Sequence, residues 1–300
     1  MASETWTPDE EALARKLYEE GQNSRQVEQE FRLRGWLRSQ KSIIRKKARE
    51  GWHHKLPPSP TPRYNSPLVV EGDAVVLADV HAPYHDARWI DRVLSLALRW
   101  GVTQCIIAGD LADFTSFSTF QREAGIDADM ELDTLSRVMD AICADFEVWY
   151  FAGNHDTRPI QRLREAGLSV RWIMQMFTPS ERCHISDYYW CRLISGDVTY
   201  QIEHPKNTSA HAAVVPAKMA AIHRCSIIGA HGHRWGMSRD VSSRDWAIDS
   251  GICADPLRLA YRAQRHNTAP ADYQGAVIVV GGVPILLGVD NIGFYESRVA

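Results

Sequence analysis

Three hundred residues are enough for one large domain, or for a domain with a small companion. The apolar share of 45% is ordinary for a globular chain, and a net charge of −3 excludes any argument from global charge toward a polyanionic partner. No apolar run approaches the ~20 residues of a membrane-spanning helix, and the polar start Met1-Ala2-Ser3-Glu4-Thr5 is unlike a signal peptide. Six cysteines without a C-x-x-C pair then read as buried, reduced thiols of a cytoplasmic protein that engages no membrane.

Residues 5 to 54 read as a separate unit of three short helices. Thr7 is an N-cap, Pro8 the first helical residue and Glu10 the returning side chain of a capping box, with Leu13, Leu17 and Tyr18 inward until Gly21 stops the helix. Ser24 caps the second helix, with Val27 and Phe31 inward, to about Gly35. Ser39 caps the third, Gln40 to Glu50, with Ile43, Ile44 and Ala48 inward. Trp6, Trp36 and Trp52 close a small core. Three helices with tight turns suit a helix-turn-helix unit.

Around the third helix gather Arg38, Lys41, Arg45, Lys46, Lys47 and Arg49, while acids gather on the first. Such an asymmetry within a nearly neutral chain is what phosphate contact requires, so these six are the candidate nucleic-acid contacts; the alternative is a solvated basic helix that binds protein or nothing. The opening Trp6-Thr7-Pro8-Asp9-Glu10 and the closing Arg49-Glu50-Gly51-Trp52 resemble Myb-like and related bacterial helix-turn-helix domains, which implies DNA as the partner. Residues 55 to 67 carry five prolines and read as a stiff linker.

From residue 68 strands and helices alternate. Strands are expected at 74–78, 104–108 and 146–151, and helices at 86–100 and 130–145, a βαβαβ pattern with a parallel sheet. Later come hairpins at 189–203 and 276–288, a helix from 209 to 223 and a strand at 226–229. The fold class is α/β (α+β): a mixed two-sheet sandwich flanked by helices, residues 68–300, preceded by the helical unit.

Five polar segments lie at strand ends: Asp79-Val80-His81, Gly109-Asp110-Leu111-Ala112-Asp113, Gly153-Asn154-His155-Asp156, His204, and His231-Gly232-His233. In open α/β sheets the loops at the carboxyl ends of strands form the binding crevice. Carboxylates, imidazoles and one amide make a mixed O/N donor set, suited to Mn²⁺, Fe or Zn²⁺, with Mg²⁺ and Ni²⁺ as further alternatives. Asp79, His81, Asp110, Asn154, His204, His231 and His233 are too many ligands for one catalytic ion and suit two, with one carboxylate shared.

The same set resembles the calcineurin-like metallophosphoesterases over most of residues 73 to 250. That resemblance implies one cation on Asp79, His81 and His233, another on Asn154, His204 and His231, and Asp110 bridging. It also implies hydrolysis of a phosphoester substrate, with His155 protonating the leaving oxygen and Asp113 orienting it. Ala230 stands where the family has Gly before H-x-H, and Pro205 where Gly often follows the lone His, which leaves His211 as a rival to His204. The Arg-Gly that follows the Asp in the protein-phosphatase branch is absent; Phe114-Thr115 stands there. Asp156 could cap a following helix.

The segment Asp113 to Arg122, with Asp249-Ser250-Gly251 and Tyr273-Gln274-Gly275, resembles phosphoesterases common in bacteriophage genomes, which would place the protein in a host cytoplasm. Its phenylalanines could stack on a base or belong to the core. Of Arg122, Arg158, Arg162, Arg234 and Arg239, the candidate phosphate contacts are Arg158 and Arg234. The functional expectation is a phosphodiesterase or nuclease brought to DNA by the helical unit. The alternatives are a phosphomonoesterase for phosphoprotein or a small molecule, and a non-enzymatic DNA-binding regulator.

Overall fold

The computed structural model describes residues 5–52, 66–118, 125–162, 175, 180–186, 188–259 and 272–298. The chain divides into two compact units, residues 1–63 and 64–300. Most of the expected linker, together with Thr119 to Arg122 and the side chain of Arg162, lies outside the described residues.

The first unit is α1 (Pro8–Glu19), α2 (Ser24–Leu33) and α3 (Gln40–Glu50). The capping box of α1 forms as expected: Glu10 N–H donates to Thr7 Oγ1 at 3.2 Å, and Thr7 N–H donates to Glu10 Oε2 at 2.8 Å. The cap of α2 is Asn23 rather than Ser24, because Gln26, three residues on, can reach back to the Asn23 N–H at 2.8 Å. From Ser24 the corresponding residue is Val27, which cannot. Trp6, Leu17, Tyr18, Val27, Phe31 and Ile43 form the core, with Trp36 and Trp52 packed against it.

The inward face of α3 differs from the expectation. Ile44 and Ala48 are exposed, and Ser42, Ile43 and Lys46 are buried. Lys46 takes an inward position because two carboxylates await it: Glu11, and Glu50 at 3.1 Å. A buried ammonium held this way needs such partners.

In the second unit, one sheet has the order β12-β11-β2-β3-β4-β5. Its strands are β2 (Ala74–Leu77), β3 (Gln104–Ala108), β4 (Glu147–Phe151), β5 (Cys183–Ser186), β11 (Gly275–Val280) and β12 (Val283–Gly288). The run β2 to β5 is parallel, and the β11–β12 hairpin joins it antiparallel. The other sheet has the order β1-β6-β7-β8-β10-β9. It contains β1 (Val69–Glu71), β6 (Trp190–Ser195), β7 (Val198–Glu203), β8 (Ser226–Gly229), β9 (Trp235–Arg239) and β10 (Trp246–Ser250).

Strand alternation divides the two cores. Ala74, Val76, Ile106 and Ala108 face the second sheet's Cys191, Leu193, Tyr200, Ile202 and Ile228. Val75, Leu77, Cys105 and Ile107 face α4 (Ala87–Arg99) and α5 (Ala128–Asp145) through Trp89, Val93, Leu96, Leu135 and Ile142. Helix α7 (Val214–His223), which follows the short α6 (Arg158–Arg162), packs on the outer face of the second sheet beside β8 and β10. It starts five residues later than expected, because Asp249 Oδ2 holds the Ala213 N–H at 2.7 Å and Ala213 turns into the left-handed region at φ 62°. The final helix α8 (Ile292–Glu296) lies near α4.

Strands β2, β3 and β4 run parallel, as do β7, β8 and β10. Their carboxyl ends therefore deliver the five polar segments to one edge of the sandwich. No helix among the described residues is long and apolar enough to cross a membrane, and the six cysteines are free thiols.

Candidate metal centre

Three groups of possible ligand atoms assemble at that edge, each within 4.8 Å: Asp79, His81 and His233 in one, Asp110, His204 and His231 in a second, and His81, Asp113 and His155 in a third. Asn154 joins the second group, with its Oδ1 3.0 Å from His204 Nε2. Asp110 lies between the first two, its Oδ2 3.3 Å from His204 Nε2 and 3.9 Å from His81 Nε2. The seven residues expected as ligands are thus brought to one edge of the sandwich.

The loops are strained to achieve this. Five of the nine non-glycine residues with positive φ among the described residues are candidate ligands: Asp79, His81, Asp110, His231 and His233. Such conformations are uncommon for these residues, and strained backbone concentrates at functional sites. Two glycines make room. A Cβ on Gly109 would come within 2.5 Å of the His204 ring, and one on Gly153 within 2.2 Å of Asp110 Oδ1. Gly153 is therefore needed for close approach rather than for the sharp turn its place after β4 suggests.

The donor set fits divalent cations. Asp79 Oδ1 and His81 Nε2 are buried without a hydrogen-bond partner among the described residues, although they lie only 3.8 Å apart. Buried polar atoms are seldom left so. Bonds of ~2.1 Å to a tetrahedral ion give ligand separations of ~3.4 Å. The contacts of 3.3 Å (His233 Nε2 to Asp79 Oδ1) and 3.8 Å bracket that value.

Electrostatics agree. Burial would raise the Asp79 carboxyl, but His233 beside it holds it below the usual range. Burial likewise opposes ionisation of Asp110, and the His204 and His155 imidazoles outweigh it to hold Asp110 well below that range. Burial disfavours charge on His204, yet Asp110 lifts it to about 10. His233 rises to about 9 because Asp272 and Asp79 outweigh burial. Burial and the neighbouring His204 lower His231. Carboxylates held anionic beside imidazoles that hold protons make a site where a cation can take the protons' place.

At the rim, His155 Nδ1 lies 2.9 Å from Asp113 Oδ1, forming the expected pair. Asp113 does more than orient His155, because the same Oδ1 is 3.0 Å from His81 Nδ1. Against the cost of burial, hydrogen bonds from both imidazoles hold the Asp113 carboxyl far below its usual range. Arg158 Nη1 donates to the Asp113 carbonyl at 2.7 Å, and its Nη2 lies 3.1 Å from His155 Nε2. Arg158 thus stands against the reactive edge of His155.

Arg234, the other phosphate candidate, is turned away from that role. It is buried, its Nε donates to the Gly232 carbonyl, and its Nη2 is 3.3 Å from Asp272 Oδ1. Arg239 is spent on the outer hairpin, with its guanidinium 3.3 Å from the Trp246 ring centroid. His211 is exposed and joins no ligand group, which leaves the position to His204. Phe114 is fully buried and Phe117 packs edge-on against it, so both belong to the core.

Two further carboxylates, Asp156 and Asp272, brace the site. Asp156 does not cap α6. Its oxygens accept the N–H groups of Ala112 at 3.0 Å and Gly153 at 2.8 Å, tying the β3 and β4 loops together. Burial, then the charge on Asp110, pushes Asp156 up to about 6. Asp272 Oδ1 lies 3.2 Å from His233 Nδ1, at ion-pair distance rather than aligned for a hydrogen bond. Its signal was its place directly before Tyr273-Gln274-Gly275.

In the helical unit, the six candidate contacts separate into two sets. Arg38 grips Glu10 with two bonds of 2.8 and 2.9 Å, Lys46 is held by Glu11 and Glu50, Lys47 lies over the Tyr18 ring at 4.4 Å, and Arg49 meets Glu50 at 3.2 Å. Lys41 and Arg45 are exposed on one face of α3 with Ile44 and Ala48 between and beyond them.

These elements place two clusters of possible cation ligands side by side, with a His–Asp pair at their rim. No known family model and no curated protein matches the chain. Among solved structures it is similar to YfcE, a phosphoesterase from E. coli, with 12% identity and a TM-score of 0.42, covering 73% of this chain and 94% of that one. It is also similar to Vps29 of Chaetomium thermophilum, with 9% identity and a TM-score of 0.39, covering 69% and 83%. At TM-scores this low neither likeness bears on the chemistry.

Proposed function

We propose that the protein is a divalent-cation-dependent phosphoesterase that hydrolyses phosphodiester bonds in nucleic acid, with the helical unit as its DNA-binding module. One observation carries the reading: Asp110 stands between two His/Asp groups while the His155–Asp113 pair sits at their rim. Asp79, His81 and His233 would hold one cation, and Asn154, His204 and His231 another, with Asp110 shared. When bound, such cations activate water and neutralise charge on the phosphoryl oxygens.

Hydrolysis forms a P–O bond from water and breaks the bond to the leaving oxygen, which must then take a proton. Asp113 fixes the His155 ring through Nδ1, which leaves Nε2 as the atom from which this chain delivers that proton. Arg158 can only donate, so in this arrangement His155 Nε2 accepts from it. When Arg158 turns its Nη2 to a phosphoryl oxygen, Nε2 is released to carry a proton. The DNA-binding part of the reading is supported by the exposed Lys41 and Arg45.

The test is cleavage of single- and double-stranded DNA by the whole chain with Mn²⁺, beside chromogenic phosphodiesters and phosphomonoesters. Cleavage of DNA and of the diester is expected. Turnover of the monoester alone would replace this reading with that of a phosphomonoesterase, whose doubly charged substrate suits the guanidinium of Arg158.

A further inference from the structure

We infer that the run Tyr188-Tyr189-Trp190 is a platform on which a nucleobase stacks, placing the adjoining phosphate of single-stranded nucleic acid at the cation centre. The inference uses the phosphoesterase reading for the identity of that phosphate, while the platform itself is a binding surface. Its place follows from topology. Strand β6 is antiparallel to β7, so the start of β6 lies at the edge where β7 ends in His204. Trp190 stands opposite Glu203, and the His204 N–H donates to the Tyr189 carbonyl at 3.3 Å.

On the other side, Ser186 of β5 is in register with Phe151 of β4, just before the loop carrying Asn154. The Tyr188 N–H donates to Ser186 Oγ at 3.0 Å. The aromatic run is therefore anchored both to the strand beside Asn154 and to the residue beside His204, whose side chains meet at 3.0 Å.

The side chains suit a base. Tyr189 is 49% exposed. The Tyr188 and Trp190 rings meet edge to face at 6.1 Å, and the Arg192 guanidinium lies 5.6 Å from the Trp190 ring centroid. The Tyr188–Trp190 pair braces the run, the half-exposed Tyr189 ring offers apolar area to a base, and the Arg192 guanidinium offers a charge complementary to the sugar–phosphate backbone. Phe114 and Phe117 belong to the core, whereas this run adjoins His204 through its backbone. Tyrosine offers such area at low conformational cost.

The test compares wild type, Tyr189→Ala and Tyr189→Trp in the full chain with Mn²⁺, on thymidine 5′-(4-nitrophenyl phosphate) and on base-free methyl 4-nitrophenyl phosphate. Stacking is worth a factor of ~5 to ~150 in affinity. Tyr189→Ala should raise KM for the nucleoside ester within that range at unchanged kcat and leave the methyl ester unaffected, while Tyr189→Trp should preserve both. Equal losses on the two esters, or no loss on either, would overturn the platform. In parallel, calorimetry measures thymidine 5′-monophosphate against inorganic phosphate. A preference for the nucleotide that disappears in Tyr189→Ala supports the platform even if neither ester is hydrolysed, in which case only the phosphoesterase reading falls. Equal affinity for the two ligands in wild type overturns it.

Discussion

The two halves of the cation centre are built from different materials. Behind the imidazoles of the first half stand carboxylates: Asp113 at 3.0 Å from His81 Nδ1, and Asp272 at 3.2 Å from His233 Nδ1. In the second half, His204 Nδ1 faces the backbone carbonyl of Ala108 at 3.1 Å, Asn154 contributes a neutral and exposed amide, and His231 is only half-buried. Anionic partners raise the basicity of a ligating imidazole and fix its orientation. The first half is therefore expected to hold a cation more tightly than the second, with Asp110 standing between them. The difference teaches that similar ligand counts give unequal sites when the surroundings differ.

The largest effect expected is that of Asp110→Ala, which removes the carboxylate that stands between the two halves. Turnover should fall below detection and the second half should empty, as measured by bound Mn²⁺ per chain after desalting. Retention of two ions would show that the halves do not share Asp110.

Next comes His155→Ala, which should leave both cations bound and lower kcat by ~10²–10⁴-fold. Loss of a cation instead would mean that His155 is a ligand and that its division of labour with Asn154 is reversed.

Asp272→Asn sharpens the comparison most selectively. It should weaken cation binding in the first half by ~10–100-fold and leave the second half unchanged, read as a shift in one phase of a Mn²⁺ titration. A shift in both phases would make Asp272 a general scaffold residue.

The smallest effect concerns pH. In the cation-free protein, burial disfavours charge on His204 and His233, but Asp110 lifts the first to about 10, and Asp272 and Asp79 lift the second to about 9. A raised folded-state value stabilises the fold fully below the unfolded value of ~6.5, and that contribution disappears as pH rises through the folded values. The Tm of cation-free protein should therefore decline as pH rises from about 7 to about 10, whereas loaded protein should release its cations as pH falls. Thermal scans with and without Mn²⁺ check this, and identical pH profiles would contradict it.

Much of this architecture was legible in the chain, for a physical reason. Strands β2 and β3 are buried on both faces and β4 mostly so, so they read as short apolar runs, and each leads into a motif whose polar residues have no place in a core. The edge strands of the second sheet were not legible: β1 has three residues, and β9 is mostly exposed and mixes Trp235 with Gly236, Ser238 and Arg239. The face of α3 was misjudged because Lys46 satisfies its charge inside the bundle on Glu11 and Glu50, which no local pattern announces. The roles of Asp272 and Asp156 depend on contacts across the sequence, 39 residues from Asp272 to His233 and 44 from Asp156 to Ala112, and spacing alone says nothing about either.

The central claim is a pair of unequal cation sites that share one carboxylate. Titration of the cation-free protein with Mn²⁺, followed by electron paramagnetic resonance, tests it most directly. The account predicts two ions per chain taken up in sequence, with the signal of the first, isolated ion giving way to that of a coupled pair as the second enters. A single uncoupled ion at saturation, or two that never couple, would contradict it.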